Sequence, residues 1–590
     1  MSLNQSLSDL FSSMADIMDI KGENPFKVLA FRKVARIVKD MTVDLRPAVE
    51  DGSIANIEGI GQSSRRIIEE FVKTSHSTDY DELAQSVPPG LLPLLQVEGL
   101  GPKTIALFWK QRNITSADQL LAALDNRSLL TLKGMGDKKL AAIRKALENR
   151  AKNAGRVGLA EALPLALDLL ERLHALPGVQ HAQVAGSFRR RRETIGDLDL
   201  LCSVKDASIA PTITSAFAAL PGVARVINQG PVKASIVSAS GLQVDLRVFA
   251  EEHFGAALMY FTGSKDHNVK VRSLAQKRGL TLNEWGLYRL DEYEKAAKKT
   301  SEAPSIIPLA SKTENAVYSK LGLCFIPPEL REDRGEVDAA LANRLPNLIE
   351  RDDLRGDLHC HTSASDGAAS IEEMAAAAKA LGYEYLAITD HSQSSVIANG
   401  LTPQRLVKHI ADIRRISSTL KGITLLAGAE VDILADGHLD YEDAVLAELD
   451  IVIASPHTAL KQDPQKATDR LLRAIEHRYV NVIGHPTGRM INQREGLPLD
   501  FARVLPAAAQ TATALEINAG WPRLDLDEFH SRAAIDAGVM LSINTDAHSP
   551  EGLSDIDYGL STARRGWVTA KHVINCLAFN DLMKLLRSKR

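Results

Sequence analysis

At 590 residues, 45% hydrophobic and 24% charged, the chain has the ordinary composition of a soluble protein and is long enough for three or four domains with full cores. No apolar run reaches 18 residues and the segment MSLNQSLSDLF lacks a basic stretch followed by an apolar block, so neither a membrane span nor a secretory signal is expected, and a cytoplasmic location is. Net charge is −4, yet residues 1–320 hold 42 Lys+Arg against 36 Asp+Glu (+6) and residues 321–590 hold 28 against 38 (−10), which joins a basic front suited to a polyanion to an acidic rear. Cys202, Cys324, Cys360 and Cys576 are scattered without a C-x-x-C and read as reduced thiols.

The first 150 residues read as helices punctuated by three turns: IEGIGQSSRRI around Gly59 and Gly61, VEGLGPKTIALF around Gly99 and Gly101, and LKGMGDKKLAAI around Gly134 and Gly136. Each sets an apolar residue before G-x-G and then starts a helix. The glycines permit a tight hairpin, and the free N–H groups of the helix start suit a phosphate. Lys103, Lys138 and Lys139 follow two of the turns, and the three together look like helix-hairpin-helix repeats that grip a DNA backbone without reading sequence. Between them and the N-terminus, NPFKVLAFRKVARIV offers Lys27, Arg32 and Lys33 as one basic helix face.

The chemistry-bearing stretch is Gly186 to Leu201, GSFRRRRETIGDLDLL. Leu198 and Leu200 alternate with Asp197 and Asp199, so the leucines go to a core and both carboxylates to one exposed strand face. In LQVDLRVF, Asp245 takes the same position on a second strand, and two neighbouring strands would present three carboxylates to a divalent metal. Gly186-Ser187 opens a turn for an anion, with Arg189 and Arg190 to neutralise it.

This combination resembles the nucleotidyltransferase palm of family X DNA polymerases. The resemblance implies that Asp197, Asp199 and Asp245 are catalytic ligands of Mg²⁺ (or Mn²⁺), and that Ser187 and Arg190 contact the phosphates of an incoming deoxynucleoside triphosphate. In YFTGSKDHNVKVRSLAQKRGLTLNEWGLY it implies a thumb-side pocket: Tyr260 and Phe261 against the sugar, Gly263 at a sharp turn, Asn268 and Arg272 towards minor-groove edges. Lys265 departs from the acid that vertebrate relatives often carry. NPFKVLAFRKVARIV resembles the family's N-terminal 8-kDa domain, but Ile67 stands where members with 5′-deoxyribose-phosphate lyase activity place a Schiff-base lysine.

ELREDRGEVDAALANRLPNLIERDDLRG, charged and weakly periodic, reads as a connection. Seven apolar segments, each followed by a helical stretch, then run from RGDLHCHT to VMLSINTDAHS and predict a parallel sheet closing as a distorted (β/α)7 barrel. His359, His361, Asp366, His391, Glu430, His457, His485, Asp546 and His548 fall at the C-terminal strand ends, where barrels carry their sites. A recurring N/O set of this kind argues for metal. It resembles the polymerase and histidinol phosphatase (PHP) domain, which implies three divalent metals (Mn²⁺, Zn²⁺ or Fe²⁺) and hydrolysis of a phosphoester. Asp390, Glu516 and Asn518 are expected to support the ligands.

The expected architecture is thus multidomain, α+β and α/β: residues 1–80 (8-kDa-like helical domain), 81–150 (helix-hairpin-helix fingers), 151–255 (palm), 256–320 (thumb), 321–350 (linker) and 351–590 (PHP). The resemblance implies a monomeric gap-filling polymerase of DNA repair, acting on gapped or primed double-stranded DNA, with no membrane. Its barrel would be a 3′–5′ exonuclease or 3′-phosphatase, with abasic-site endonuclease activity in some members. The alternative is a DNA-binding adaptor fused to a small-molecule phosphatase of the histidinol phosphate type.

Overall fold

The computed structural model describes residues 3–41, 45–57, 59–74, 76–97, 99–153, 155–296 and 303–589. These divide into two compact units, Met1–Ala154 with Asn492–Arg494, and Gly155–Ile491 with Glu495–Arg590. Among the described residues no helix is long and apolar enough to cross a membrane.

The first unit is helical and has two hydrophobic cores. One gathers Leu7, Phe11, Met14, Val34, Val38, Ile67 and Ile68, the other Leu91, Ile105, Phe108, Leu120, Leu129 and Ile143. Asn24, Ser77 and Ser116 each accept a backbone N–H at the start of the helices Pro25–Asp40, Thr78–Gln85 and Ala117–Asp125, which fixes where those helices begin. The three G-x-G turns share one geometry. Gly59, Gly99 and Gly134 have φ of 90°, 85° and 82°, a left-handed conformation that a side chain would strain. Gly61, Gly101 and Gly136 directly precede the helices Gln62–Thr74, Pro102–Arg112 and Asp137–Asn153, and no atom lies within 4 Å of where their Cβ would stand.

In the second unit a five-stranded sheet comes first: β1 (Val179–Val184), β2 (Asp197–Val204), β3 (Val223–Gln229), β4 (Lys233–Ser238) and β5 (Gln243–Ala250), in the order β1-β2-β5-β4-β3. Only β2 and β5 run parallel. Leu198, Leu200, Val244, Leu246 and Val248 are buried in one core with Leu159, Leu169 and Leu173 of the helix Leu159–His174, so the alternation read from sequence is what turns the aspartates outward. The helices Phe254–Thr262 and Lys265–Lys277 follow, joined at Gly263, whose φ of 70° and ψ of −150° belong to a region open essentially to glycine alone.

Residues 321–350, expected as a charged connection, carry a set of buried residues, with residues 333–335 and 341–344 exposed. Leu321, Leu323, Ile326, Leu330, Val337, Ala340 and Leu348 share a core with Met259, Val271 and Leu287. Arg331 and Glu336 are fully buried. Arg331 donates to Ile326 O at 2.9 Å and Glu314 at 2.6 Å, and Glu336 meets His267 at 2.6 Å. Alternating opposite charge looks the same in sequence whether the residues face water or distant partners.

The barrel consists of β6 (Gly356–Cys360), β7 (Tyr385–Ile388), β8 (Thr424–Asp432), β9 (Ile451–Ser455), β10 (Val482–Ile483), β11 (Ala514–Asn518) and β12 (Leu541–Asn544), all parallel and in sequential order. First and last strands meet through Asp546 N–H to His359 O at 2.9 Å and His361 N–H to Ala547 O at 2.8 Å. Both strand faces carry apolar residues, as a fully covered parallel sheet requires, with Asp357, His359, Glu430 and Glu516 buried among them. Leu386, Ile388, Val452, Ala454, Leu515 and Ile517 pack with the surrounding helices, while Leu358, Leu426, Ile451, Ile453 and Val482 pack with Leu582 and Leu586 of the helix Phe579–Arg587.

Candidate functional sites: a carboxylate cleft and a histidine-rich barrel mouth

Register brings the three predicted palm carboxylates together. Asp199 on β2 is paired with Asp245 on β5, Asp197 lies two residues earlier on the same face, and one oxygen from each falls within 4.8 Å of the others. Burial first, then the charges of Asp197 and Asp245, push the Asp199 carboxyl up to about 7. Asp245 accepts from Ser235 and from Gln243 at 3.0 Å. The three acids form a donor set made of oxygen alone, which fits a hard divalent cation.

Gly186 is the reason the next segment can lie against them. Its φ is 58°, and a Cβ there would stand 2.1 Å from an Asp199 carboxylate oxygen. The resulting cleft, about 710 Å³, is lined by Gly186, Ser187, Arg190, Asp197, Asp199, Tyr260, Phe261, Gly263, Asn268 and Arg272, which unites every residue expected to contact a nucleotide. Tyr260 and Phe261 are half-buried and edge-to-face at 5.0 Å, with the Arg247 guanidinium 4.4 Å from the Phe261 ring centre. The Asn268 amide donates to Tyr260 O at 2.7 Å. Arg156, Arg192 and Lys265 also line the cleft. Arg192 was visible in the arginine run, whereas Arg156 arrives from a segment with no motif.

Arg190 is held rather than free. Its Nε donates to Glu332 at 3.0 Å and its Nη1 to Thr262 O at 2.6 Å. Arg189 forks onto Glu314, which Arg331 also grips; burial alone would raise the Glu314 carboxyl, but the two guanidiniums outweigh it and hold it at about 2.

At the barrel mouth eight of the nine expected ligands fall into three overlapping groups: His361, Asp366, His391 and His548; His359, His361, Glu430 and Asp546; and His391, Glu430 and His457. His485 stands beside them, its Nε2 2.9 Å from Glu430. His391 Nδ1 lies 2.9 Å from Glu430, His361 Nε2 2.9 Å from Asp546 and His457 Nε2 3.2 Å from Glu430. His359 Nε2, His361 Nδ1, His391 Nδ1, His457 Nε2 and Glu430 Oε2 are nevertheless buried without a hydrogen-bond partner. Such orphaned atoms converging on common points are what a metal site looks like from the protein side. Burial, with His548 and His391 adding, pushes the His361 imidazole down to about 4, so it is neutral at pH 7 with a lone pair to give.

A supporting layer fixes the rings. Glu516 meets His359 Nδ1 at 2.8 Å and Asp432 meets His457 Nδ1 at 2.5 Å, leaving each Nε2 turned to the cluster. Asp390 accepts from Thr362 and Ser365 and meets His409 at 2.8 Å; Asn518 donates to Asp546 at 3.1 Å. Asp432 had a usable signal, two residues after Glu430 on one strand. His409 had none.

Towards the N-terminus, Lys103 is exposed beside its turn and the Lys33 ammonium lies near Gly59, but Lys27 is paired with Glu23 at 2.9 Å and Arg32 with Asp16 at 2.7 Å. The basic face expected there is therefore partly neutralised.

Comparison with known proteins places these sites in a family. Family models match residues 257–332 (DNA polymerase beta thumb), 357–518 (PHP domain), 2–77 (helix-hairpin-helix domain) and 91–149 (SAM-like helix-hairpin-helix tandem). The barrel region is similar to a "Probable phosphatase" of Thermoanaerobacter sp. (strain X514), 29% identical over 37% of this chain and 89% of that protein. A solved polymerase beta of Leishmania infantum, a ternary complex, aligns at 24% identity over 40% of this chain and 96% of its own, with a TM-score of 0.28. The "DNA polymerase/3′-5′ exonuclease PolX" of Bacillus subtilis (strain 168) is 38% identical over 98% of both chains, and with matching models at front and rear the chain belongs to the PolX family, family X DNA polymerases that carry a C-terminal PHP domain.

Proposed function

We propose that this protein is a template-directed DNA polymerase that fills gaps during DNA repair, and that its barrel hydrolyses phosphoesters at 3′ ends. The observation that carries the reading is the single cleft uniting Asp197 and Asp199 with Ser187, Arg190, Tyr260, Phe261 and Gly263. The named activities of the Bacillus subtilis relative point the same way. Asp197, Asp199 and Asp245 would hold divalent cations, Mg²⁺ or Mn²⁺, which supply charge neutralisation and a more acidic primer hydroxyl. Arg190 and Ser187 bind the triphosphate, Tyr260 and Phe261 seat the sugar, and Gly263 lets backbone approach it. The open faces of Gly61, Gly101 and Gly136 receive DNA phosphates, with Lys33 and Lys103 adding charge.

In the barrel, His359, His361, Asp366, His391, Glu430, His457, His485, Asp546 and His548 would hold three divalent metals (Mn²⁺, Zn²⁺ or Fe²⁺), which supply an acidified water and polarise a phosphoryl oxygen. Glu516 and Asp432 orient two of the imidazoles by accepting their Nδ1–H. Abasic-site cleavage is a further activity compatible with the same ligand set. The test is a gapped duplex with Mg²⁺ or Mn²⁺, with and without deoxynucleotides. Templated extension supports the reading, and phosphatase activity on small esters without extension would replace it with an adaptor fused to a small-molecule phosphatase.

Two further outcomes are expected. Gly186→Ala should cut incorporation about 100-fold or more in a folded protein, because the new methyl must displace Asp199 and an ångström of misplacement costs on that order; a circular dichroism spectrum and a primer-extension rate decide it. Borohydride should trap little of the protein on a 5′-deoxyribose-phosphate end, since the position of the lyase amine is Ile67, 2% exposed inside a hydrophobic core. Efficient trapping would transfer that role to another lysine, with Lys27 and Lys73 the first to replace.

A further inference from the structure

We propose that Arg565, on the helix Ile556–Arg565 beside the barrel, is a positioning residue for the polymerase cleft: it braces the loop that carries Arg190. The inference rests on reading that cleft as a triphosphate pocket. The Arg565 side chain is 1% exposed and crosses between the two catalytic parts of the second unit. Its Nη1 donates to the carbonyl of Arg190 at 2.6 Å and to Glu332 at 3.1 Å, and its Nη2 donates to Glu528 at 2.7 Å. Glu332 uses the same oxygen to accept from Arg190 Nε at 3.0 Å, and Arg192 approaches its other oxygen at 3.7 Å.

Three consequences follow from this arrangement. First, the carbonyl that Arg565 holds belongs to the peptide entering Arg191, whose φ of 56° is left-handed. A side-chain-bearing residue keeps that conformation only where its surroundings over-determine it. Second, Arg489 of the barrel region pairs with Glu193 at 2.7 Å, so the loop is gripped from the barrel side just before and just after its strained residue. Third, two guanidiniums share one Glu332 oxygen, which divides its pull and leaves more of the Arg190 charge for a ligand. Without Arg565, Glu332 would face Arg190 and Arg192 alone, the Arg190 carbonyl would lose its donor and the loop would relax. The part of the reaction affected is nucleotide binding, not hydrolysis, because Arg565 contacts none of the barrel's histidine cluster in the bonds described.

The test uses the full chain. Single-nucleotide incorporation on gapped DNA is measured against deoxynucleotide concentration, with 3′-end hydrolysis of the same DNA, nucleotides omitted, as the internal reference. Arg565→Ala should raise KM for the nucleotide about ten-fold, the scale of a lost charged hydrogen bond, with kcat and hydrolysis within about two-fold of the parent. Arg565→Lys, which keeps the charge but cannot fork onto three acceptors, should raise it about three-fold. Arg190→Ala is the control. If it raises KM while folded Arg565→Ala does not, the bracing role is wrong and the pocket stands; if neither does, the pocket reading itself is wrong. Parallel loss of incorporation and hydrolysis in Arg565→Ala would mark a merely structural residue and overturn the proposal. Should the alanine variant not fold, the lysine variant decides: a raised KM supports the bracing role and a parental KM overturns it.

Discussion

Asp199→Ala is expected to lower nucleotide incorporation by about three orders of magnitude or more while leaving affinity for gapped DNA within about two-fold, since several kcal/mol of metal-assisted stabilisation disappear and each 1.4 kcal/mol is ten-fold. Asp199 is the best placed of the three acids for such an effect. It stands between its strand neighbour Asp197 and its register partner Asp245, and Gly186 is packed against it. In the proposed reading DNA affinity comes instead from cations and backbone N–H groups of the first unit, which the mutation does not touch. Filter binding or anisotropy on the gapped duplex measures the second quantity, and pre-steady-state extension the first. Near-parental extension would remove Asp199 from the chemistry.

The second large effect is the uncoupling of the two sites. His359→Ala or Asp546→Ala should remove 3′-end hydrolysis, by about a hundred-fold or more, and leave incorporation on the same substrate within about two-fold. His359 is fully buried, oriented by Glu516 and directed at Glu430 and Asp546. Its loss would remove a ligand of the proposed metal site and leave Glu516 without the imidazole it orders. Neither residue makes a described bond to the carboxylate cleft. A 3′-labelled gapped duplex reports both activities in one lane, and parallel loss of synthesis and hydrolysis in folded His359→Ala would sink the two-site reading.

Much of this was legible in sequence because it is encoded locally. Period-two alternation put Asp197, Asp199 and Asp245 on one face, and strand register did the rest. Polar residues closing apolar runs marked the cluster from His359 to His548, because a parallel barrel gathers all strand ends at one mouth. What escaped depends on tertiary approach. Glu332 and Arg331 sit in a charged run that reads as solvated, and only the fold gives them Arg190, Arg565 and Glu314 as partners. His409 acts through Asp390, and a supporting role of that kind leaves no spacing rule. The pairing of Lys27 and Arg32 with acids one turn or one helix away likewise depends on packing that composition does not reveal.

The way the barrel closes also sets when each site comes into being. The palm carboxylates all lie between residues 197 and 245, but the histidine cluster takes side chains from the first barrel strand and from the loop after the last, and the interior is completed by Leu582 and Leu586. Synthesis runs from the N-terminus at about 5–20 residues per second, so the C-terminal turn leaves the ribosome roughly 17–68 s after the palm sheet has been made. A growing chain shorter than His548 cannot hold the whole cluster, since His359 must wait for Asp546 both as a neighbour in the cluster and as the strand partner that seals the barrel. The order of synthesis thus gives a growing chain its three clustered aspartates long before its histidine cluster.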